Sequence, residues 1–251
     1  MPRCSRACRR SSSWPACSAG SSAASPPARC ATDVRRRVAV TVAALLCVAA
    51  RLHAQAPRVV EDWSEQPAAG RLPAKWSFYA REPNLTYPPA IVVNDGRRAL
   101  WLKTERYSVR LARAIDLDVQ HAPTLTWEWK AVTLPEQGDI RGEISDQVAR
   151  IVLFFPPRYR PRMLGYVWDT RAPVGTETHT QQMMLERWLV VVRSGPAEVG
   201  QWIRESRNVE RDYARLFGTA PPALMGVGVE SHSEDARHAS EVFIGPITLS
   251  R

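Results

Sequence analysis

Residues 124–131, Thr-Leu-Thr-Trp-Glu-Trp-Lys-Ala, alternate strictly between polar and apolar side chains. A β-strand places successive side chains on opposite faces, so Leu125, Trp127, Trp129 and Ala131 share one face. The other face carries threonines and charges. This stretch therefore predicts a central strand that is covered by a core on one side only.

Short apolar runs and turn signals continue through residues 57–251 and predict an all-β domain. Asp95-Gly96 supplies the positive φ angles of a tight hairpin turn, and Pro156-Pro157 ends an apolar run that we expect to be buried on both faces. We predict a two-sheet antiparallel β-sandwich of jelly-roll or concanavalin-like type. Its predicted strands are 59–63, 75–79, 91–93, 99–103, 109–111, 115–119, 125–131, 147–155, 164–168, 188–193, 224–229 and 242–249.

The stretch Trp202–Gly218 predicts one short helix among these strands. Val209, Tyr213 and Phe217 recur at the spacing of one helical face. Asn208 can cap the start of the helix, and Gly218 can adopt the left-handed conformation that ends it. We expect the helix to clasp the sandwich, with Arg207, Asn208 and Asp212 at its ends and its aromatic residues in the core.

Nearly all of the net positive charge of the chain lies in its first 56 residues. These hold nine arginines and one acid of the 34 basic and 25 acidic residues, so the remainder has a net charge of +1. A basic pI therefore does not indicate nucleic-acid binding here. All five cysteines also lie in this segment, which excludes disulfides, a cysteine nucleophile and thiolate metal sites from residues 57–251.

Arg35-Arg36-Arg37 followed by the apolar run 38–50 predicts a secretory signal peptide. The run is too short for a stable membrane span. We therefore divide the chain into a leader, 1–56, and a single β-sandwich domain, 57–251. The signal peptide covers 34–56, and 1–33 is either disordered or a misassigned start. Cleavage after Ala54 or Ala56 would place the mature protein in the periplasm or outside the cell.

Six short motifs occur along the β-domain. The most specific is R-N-V-x-x-D-Y at 207–213. The others are W-x-W-K at 127–130, D-x-x-x-R at 146–150, Y-V-W at 166–168, V-V-R-S-G at 191–195 and F-G-x-x-P-P at 217–222. In this order they resemble a family of exported bacterial proteins, the domain of unknown function 3047 (DUF3047). The resemblance covers residues 59–247 and implies a lectin-type or concanavalin-like sandwich, with no established activity.

The chain departs from this family between its last two predicted strands. Where the family tends to have Asp-x-Asp-Asn-Thr, this chain has His232-Ser233-Glu234-Asp235-Ala236. An acidic pair that holds a cation or ligand hydroxyls would therefore be replaced by His232 and Glu234. A polar hairpin loop explains residues 230–238 as well as a metal site does, so we predict no cofactor and leave calcium open.

Tryptophan and charged side chains form the candidate ligand site. An exposed indole can stack on a sugar ring while nearby polar groups bind its hydroxyls, although such rings more often pack in a core. Asp146 and Arg150 share the parity of apolar neighbours, are too far apart to pair with each other, and each need another partner. The candidate residues are Trp127, Trp129, Asp146, Arg150, Tyr166, Trp168, Trp202, Arg207, Asn208, Asp212, His232 and Glu234.

No catalytic motif supports an enzyme. A nucleophile elbow, a P-loop and a dinucleotide fingerprint are all missing, and Glu143 beside Asp146 is the nearest approach to a glycosidase carboxylate pair. We predict a glycan-binding or cell-envelope-binding module. The alternatives are an envelope structural or interaction protein and a glycan-active hydrolase. The expected partner is a glycan or an envelope component, with no nucleic acid and no stable membrane span.

Overall fold

The two sheets of the protein are seen in a computed structural model, which describes residues 56–65, 72–80, 82, 84–235 and 238–251. These residues belong to one compact unit, Ala54–Arg251. The predicted leader and signal peptide lie outside the described residues, apart from Ala56. Within the described part, no helix is long and apolar enough to cross a membrane.

Thirteen strands and one helix are present among the described residues. The helix α1 spans Val209–Phe217. The strands are β1 (Arg58–Glu61), β2 (Trp76–Ala80), β3 (Ala90–Asn94), β4 (Arg97–Glu105), β5 (Ser108–Leu117), β6 (Thr124–Thr133), β7 (Ala149–Phe155), β8 (Arg162–Asp169), β9 (Glu177–Gln182), β10 (Leu185–Ser194), β11 (Ile203–Asn208), β12 (Leu224–His232) and β13 (Ala239–Ser250).

The strands form a six-stranded and a seven-stranded sheet. The first has the order β11-β6-β13-β4-β3, with β1 also paired to β13, and the second has the order β2-β5-β12-β7-β8-β10-β9. The predicted all-β, two-sheet sandwich with one short helix is confirmed. One pair of neighbouring strands, β8 and β10, is parallel rather than antiparallel. Parallel neighbours need a long crossover, which residues 170–184 with the edge strand β9 provide.

The sheets are joined by a core of large aromatic side chains. Trp127 meets Trp129 edge to face, with 5.3 Å between ring centroids, and stacks on Tyr166 of the other sheet at 5.3 Å. Trp129 packs against Trp168 at 5.7 Å. Pairs of this kind contribute about 0.5–1.5 kcal/mol each beyond the burial of their area. The alternation over 124–131 therefore predicts the covered face correctly.

The element boundaries correct the prediction in several places, of which three concern whole strands. The two short strands predicted at 109–111 and 115–119 form one continuous strand, β5. Residues 203–208, included in the predicted helical stretch, form the edge strand β11, which pairs with β6. The edge strand β9 was not predicted, because its sequence Glu-Thr-His-Thr-Gln-Gln is polar on both faces. The predicted hairpin is present, with positive φ at both Asp95 and Gly96.

Candidate functional site

Four of the predicted site residues are core residues. Trp127, Trp129, Tyr166 and Trp168 have no exposed surface. A ring without an exposed face cannot serve as a platform for a sugar, so the interpretation of these residues as ligand-binding platforms is wrong. Core packing, the alternative interpretation from the sequence, is what the structure shows.

Trp202 is partly buried on the six-stranded sheet. The guanidinium of Arg97 lies 5.5 Å from the centre of its ring, and Phe243 packs at 6.5 Å. A side chain at Gly245 would come within 3.3 Å of the same ring. The ring is thus occupied by neighbours from its own sheet and is not a free platform.

The R-N-V-x-x-D-Y block attaches the helix to the sandwich. Arg207 donates two hydrogen bonds to Asp212, of 2.9 and 2.8 Å, and the Tyr166 hydroxyl donates a third of 2.9 Å. Burial raises the pKa of Tyr166 well above its usual value, and the negative charge of Asp212 raises it further. The phenol therefore keeps its proton and remains a hydrogen-bond donor. Asn208 accepts a hydrogen bond of 2.8 Å from the Arg211 amide and caps the helix.

This arrangement assigns Arg207, Asn208 and Asp212 to a structural clasp, as the helix prediction proposed. Asp212 reaches back to the sheets, because its partners are Arg207 of β11 and Tyr166 of β8. The bidentate geometry satisfies both carboxylate oxygens. These residues are therefore occupied within the fold.

Three charged residues face each other on the side of the seven-stranded sheet that points away from the six-stranded sheet, here called the outer face. Glu230 of β12 lies opposite Arg110 of β5 and Arg150 of β7. Their neighbours Val229 and Ile151 are buried in the core between the sheets. Because side chains alternate along a strand, the three charges must point outward.

Glu230 is the centre of this cluster. Its Oε2 lies 3.5 Å from Arg150 Nη1 and 2.9 Å from His232 Nε2, and its Oε1 lies 3.7 Å from Arg110 Nε. Gln147 accepts a hydrogen bond of 2.6 Å from Arg150 Nε. Arg150 thus has a partner other than Asp146, as its buried position requires. Glu230 was not predicted as a site residue, because residues 230–238 were predicted to form a loop, whereas β12 continues to His232.

Burial and the neighbouring charges fix the protonation of this cluster. Burial raises the pKa of Glu230, but the hydrogen bond with His232 and the charges of Arg150 and Arg110 outweigh it and lower the pKa to about 2. Burial and the charge of Arg150 lower the pKa of His232 to about 4. At neutral pH, Glu230 is therefore ionised and His232 is neutral. Nε2 of His232 then donates to Glu230, and Nδ1 accepts from the Ser108 hydroxyl at 3.1 Å.

The chain Ser108–His232–Glu230 resembles a hydrolase triad in residue types only. A general base near neutral pH needs a pKa close to 7, whereas that of His232 is about 4. The cavity next to Ser108, which Tyr79 and Arg110 also line, has a volume of about 10 Å³. This is room for roughly one water molecule and not for an acyl group. The hydrogen bonds among these three residues hold the outer face in place.

Asp146 and Glu234 lie at the margin of the same cluster. Asp146 is buried and accepts a hydrogen bond of 3.2 Å from the Asp235 amide. Glu234 lines the small cavity beside Ser108 and Arg110. Of the predicted site residues, the structure thus brings Asp146, Arg150, His232 and Glu234 together. The described part of the chain holds no group of three or more His, Cys, Asp or Glu side chains able to bind a metal ion.

An open cleft of about 370 Å³ lies on the same outer face, where Ala112 and Ala114 follow Arg110 at alternate positions of β5. Small residues of three neighbouring strands form its floor, and Phe154 and Arg158 line it at the side. Gly228 makes room for the Phe154 ring, because an added Cβ would lie 3.0 Å from that ring. The floor consists of Ser77, Ala112, Ala114 and Gly226.

The small cavity beside Ser108 and Arg110, rather than the cleft, is lined by an exposed aromatic residue. Tyr79 is 60% exposed and lies opposite Arg110 at the edge strand β2. Three strand spacings, or about 14 Å, separate β2 from the strand of Phe154. Neither Tyr79 nor Phe154 was among the sequence candidates. The only sequence signal was the run of small residues at alternate positions, which has meaning only once the strands are paired.

The family comparison agrees with the motifs. The model of the family described as "Protein of unknown function (DUF3047)" matches residues 74–248. The chain is a member of the DUF3047 family. No curated protein sequence matches this DUF3047 protein.

Solved structures similar to the DUF3047 protein have low sequence identity. The family 11 carbohydrate-binding module of the cellulase Lic26A-Cel5E of Clostridium thermocellum has 7% identity and a TM-score of 0.41, over 78% of this chain and 94% of that one. Endoglucanase 3 of Trichoderma harzianum, from family GH12, has 10% identity and a TM-score of 0.38, over 72% of this chain and 99% of that one.

Proposed function

We propose that this DUF3047 protein is an exported module that binds glycans in the outer-face cleft. The observation that carries the proposal is the cleft itself: an open trough of about 370 Å³ with a floor of small residues and Phe154 at its side. A sugar ring has apolar C–H faces that pack on an aromatic ring and on a flat floor. Its hydroxyls need polar partners, which Ser77 and Arg158 offer.

Binding rather than hydrolysis is the activity that the cleft supports. Glycoside hydrolysis generally uses two carboxyl groups on either side of the scissile bond. The described residues that line the cleft include no Asp or Glu. Asp146 is fully buried beside Arg150, and Glu143 is exposed in the loop before β7. The site therefore favours a binding module over a glycan-active hydrolase.

A glycan array with the purified protein tests the proposal, with a variant that fills the cleft. Ala114 is exposed on the floor, so Ala114→Leu adds bulk in the cleft without entering the core. The matched control is Ala197→Leu, a substitution at an exposed loop position outside the cleft. We expect the parent and the control to bind the same glycans and Ala114→Leu to lose at least tenfold in affinity. If no glycan binds the parent protein, or if both variants bind equally, the proposal is wrong.

A further inference from the structure

A cavity of about 450 Å³ lies where the helix meets the end of the seven-stranded sheet, and is here called the end cavity. Arg162, Glu186 and Gln181 lie side by side on β8, β10 and β9. Arg162 is opposite Phe155, a core residue, so this row lies on the side of the sheet that faces the helix. The polar side chains that line the end cavity are Arg160, Arg162, Gln181, Glu186, Tyr213 and Thr219.

The loop between β7 and β8 separates the end cavity from the cleft. Arg158 lines the cleft, whereas its neighbours Pro157 and Tyr159 line the end cavity. Among the described residues, none lines both. Tyr159 is 74% exposed, so its ring is accessible to a ligand. The end cavity is therefore a separate site with an aromatic side chain of its own.

Three hydrogen-bond donors converge in the end cavity. Nη1 of Arg162 donates to the Tyr213 hydroxyl at 3.2 Å and to the Thr219 hydroxyl at 3.4 Å. Because both hydroxyl oxygens act as acceptors, their own protons remain free to be donated, and neither proton has an acceptor among the described residues. Nη2 of Arg162 has no acceptor in this part of the chain either. An oxygen atom placed beside this group would receive hydrogen bonds from more than one side.

The Tyr213 hydroxyl shows that these free donors are not merely turned toward solvent. Tyr213 has no exposed surface, and a buried donor normally has an acceptor. The carboxylate that lines the end cavity, Glu186, is already engaged by Arg162 Nε at 2.9 Å and lies 3.6 Å from His179. Arg160 is exposed and forms no salt bridge with another described residue. The described lining therefore has a surplus of donors and of positive charge.

We propose that the end cavity binds a sugar acid, whose carboxylate accepts hydrogen bonds from Tyr213, Thr219 and Arg162 while its ring packs on Tyr159. An ionised carboxylate only accepts hydrogen bonds, so it matches a group of free donors, and charged hydrogen bonds are about twice as strong as neutral ones. The apolar C–H face of a sugar ring fits an accessible aromatic ring. The remaining hydroxyls find an amide in Gln181. A volume of about 450 Å³ suits a ligand of this size.

Calorimetric titration with matched methyl glycosides tests the inference. The probes are the methyl glycosides of glucuronic acid and galacturonic acid, each compared with the neutral glycoside of glucose or galactose. We expect at least one acid to bind about tenfold more tightly than its neutral counterpart, since a hydrogen bond to a charged group contributes this much.

Two variants remove the free hydroxyls without disturbing the packing. Tyr213→Phe keeps the buried ring, and Thr219→Val keeps the shape of an exposed side chain. Each should lose most of the preference for the acid while melting within a few degrees of the parent. The matched control is Tyr79→Phe, at an exposed tyrosine of β2 outside the end cavity, and it should keep the preference.

The outcomes that overturn the inference differ from those that overturn glycan binding in the cleft. Absence of binding by both acids, equal binding of acid and neutral glycosides, or an undiminished preference in Tyr213→Phe and Thr219→Val would each refute the end cavity as a sugar-acid site. Inorganic phosphate bound as tightly as the acid would do so too, because the sugar ring would then contribute nothing. Ala114→Leu, which fills the cleft, should leave the acid bound, and its loss there would place the acid in the cleft instead.

Discussion

A single residue, His232, makes the stability of the folded protein depend on pH. Its pKa is lowered from 6.5 to about 4 in the folded protein, so the unfolded chain takes up the proton first as the pH falls. The stability that this group contributes is fully present above pH 6.5 and is lost between 6.5 and about 4. Glu230, with a pKa lowered from 4.5 to about 2, extends the loss to lower pH. Each pKa unit corresponds to about 1.4 kcal/mol at most.

Urea unfolding at a series of pH values measures this dependence. We expect the free energy of unfolding of the parent to fall steadily below pH 6.5, whereas His232→Gln, which cannot titrate, should show a flatter profile down to pH 4. His121→Gln is the control, since His121 is exposed and lies outside the cluster. Parallel profiles for the parent and His232→Gln would show that His232 is not the titrating group.

Single residues were predictable from the sequence when their neighbours in the chain define them. Arg150 carries a charge at a position of apolar parity, and the need for a buried partner follows from that alone. Its partner Glu230 lies 80 positions away in the sequence, and nothing local connects the two. For Trp127 the sequence was insufficient, because the same pattern of tryptophans fits both a core residue and a platform that binds a sugar. Only the packing of the second sheet decides between them.

The packing of the clasp helix predicts how much each of its two aromatic residues contributes to stability. Tyr213 has no exposed surface and packs 4.5 Å from Phe155, whereas Phe217 is only partly buried and stacks on Tyr213 at 4.4 Å. Truncation of a fully buried aromatic costs about 3–5 kcal/mol. We expect Tyr213→Ala to lower the melting temperature by roughly 6–20 °C and Phe217→Ala to lower it by less. Calorimetry of the two variants measures the difference.

An outward-facing residue of the same helix provides the control. Ala214 is exposed, so Ala214→Ser should melt within a few degrees of the parent. If Phe217→Ala proved as damaging as Tyr213→Ala, the helix would depend on its last turn more than its burial indicates.

The boundaries of a helix or strand could be predicted from the sequence where a residue next to the boundary determines it. Asn208 and Gly218 bound the helix as predicted, because a cap and a left-handed residue act on the backbone next to them. Residues 203–208 were assigned to the helical stretch because their charged side chains fit a solvated helix as well as an edge strand. The partner β6 fixes them as a strand, and that pairing is tertiary.

The two outer faces of the sandwich differ at the level of the whole molecule. On the six-stranded sheet, oppositely charged side chains pair with each other, as in Arg97 with Glu128 at 2.8 Å and Lys130 with Asp95 at 2.6 Å. On the seven-stranded sheet, Glu230 is shared by Arg110 and Arg150, and small residues open a cleft on the same face. The covered and exposed faces were predictable from alternation. The difference between the two exposed faces was not, since it depends on which strands lie side by side.

Export is the remaining prediction at this scale. Arg35-Arg36-Arg37 and the apolar run 38–50 have the form of a signal peptide, and the cysteines and nearly all of the net positive charge lie in the leader. Mass spectrometry of the protein from the periplasmic fraction of a bacterial host should find Gln55 or Pro57 at the N-terminus.

Leu45→Arg, which places a charge in the apolar run at a cost of about 3 kcal/mol, should leave an unprocessed cytoplasmic precursor. Ser12→Arg adds the same charge outside the run and should be processed normally. An intact leader on a cytoplasmic parent protein would show that residues 34–56 are not a signal peptide, and the glycans that reach the cleft would then have to be intracellular.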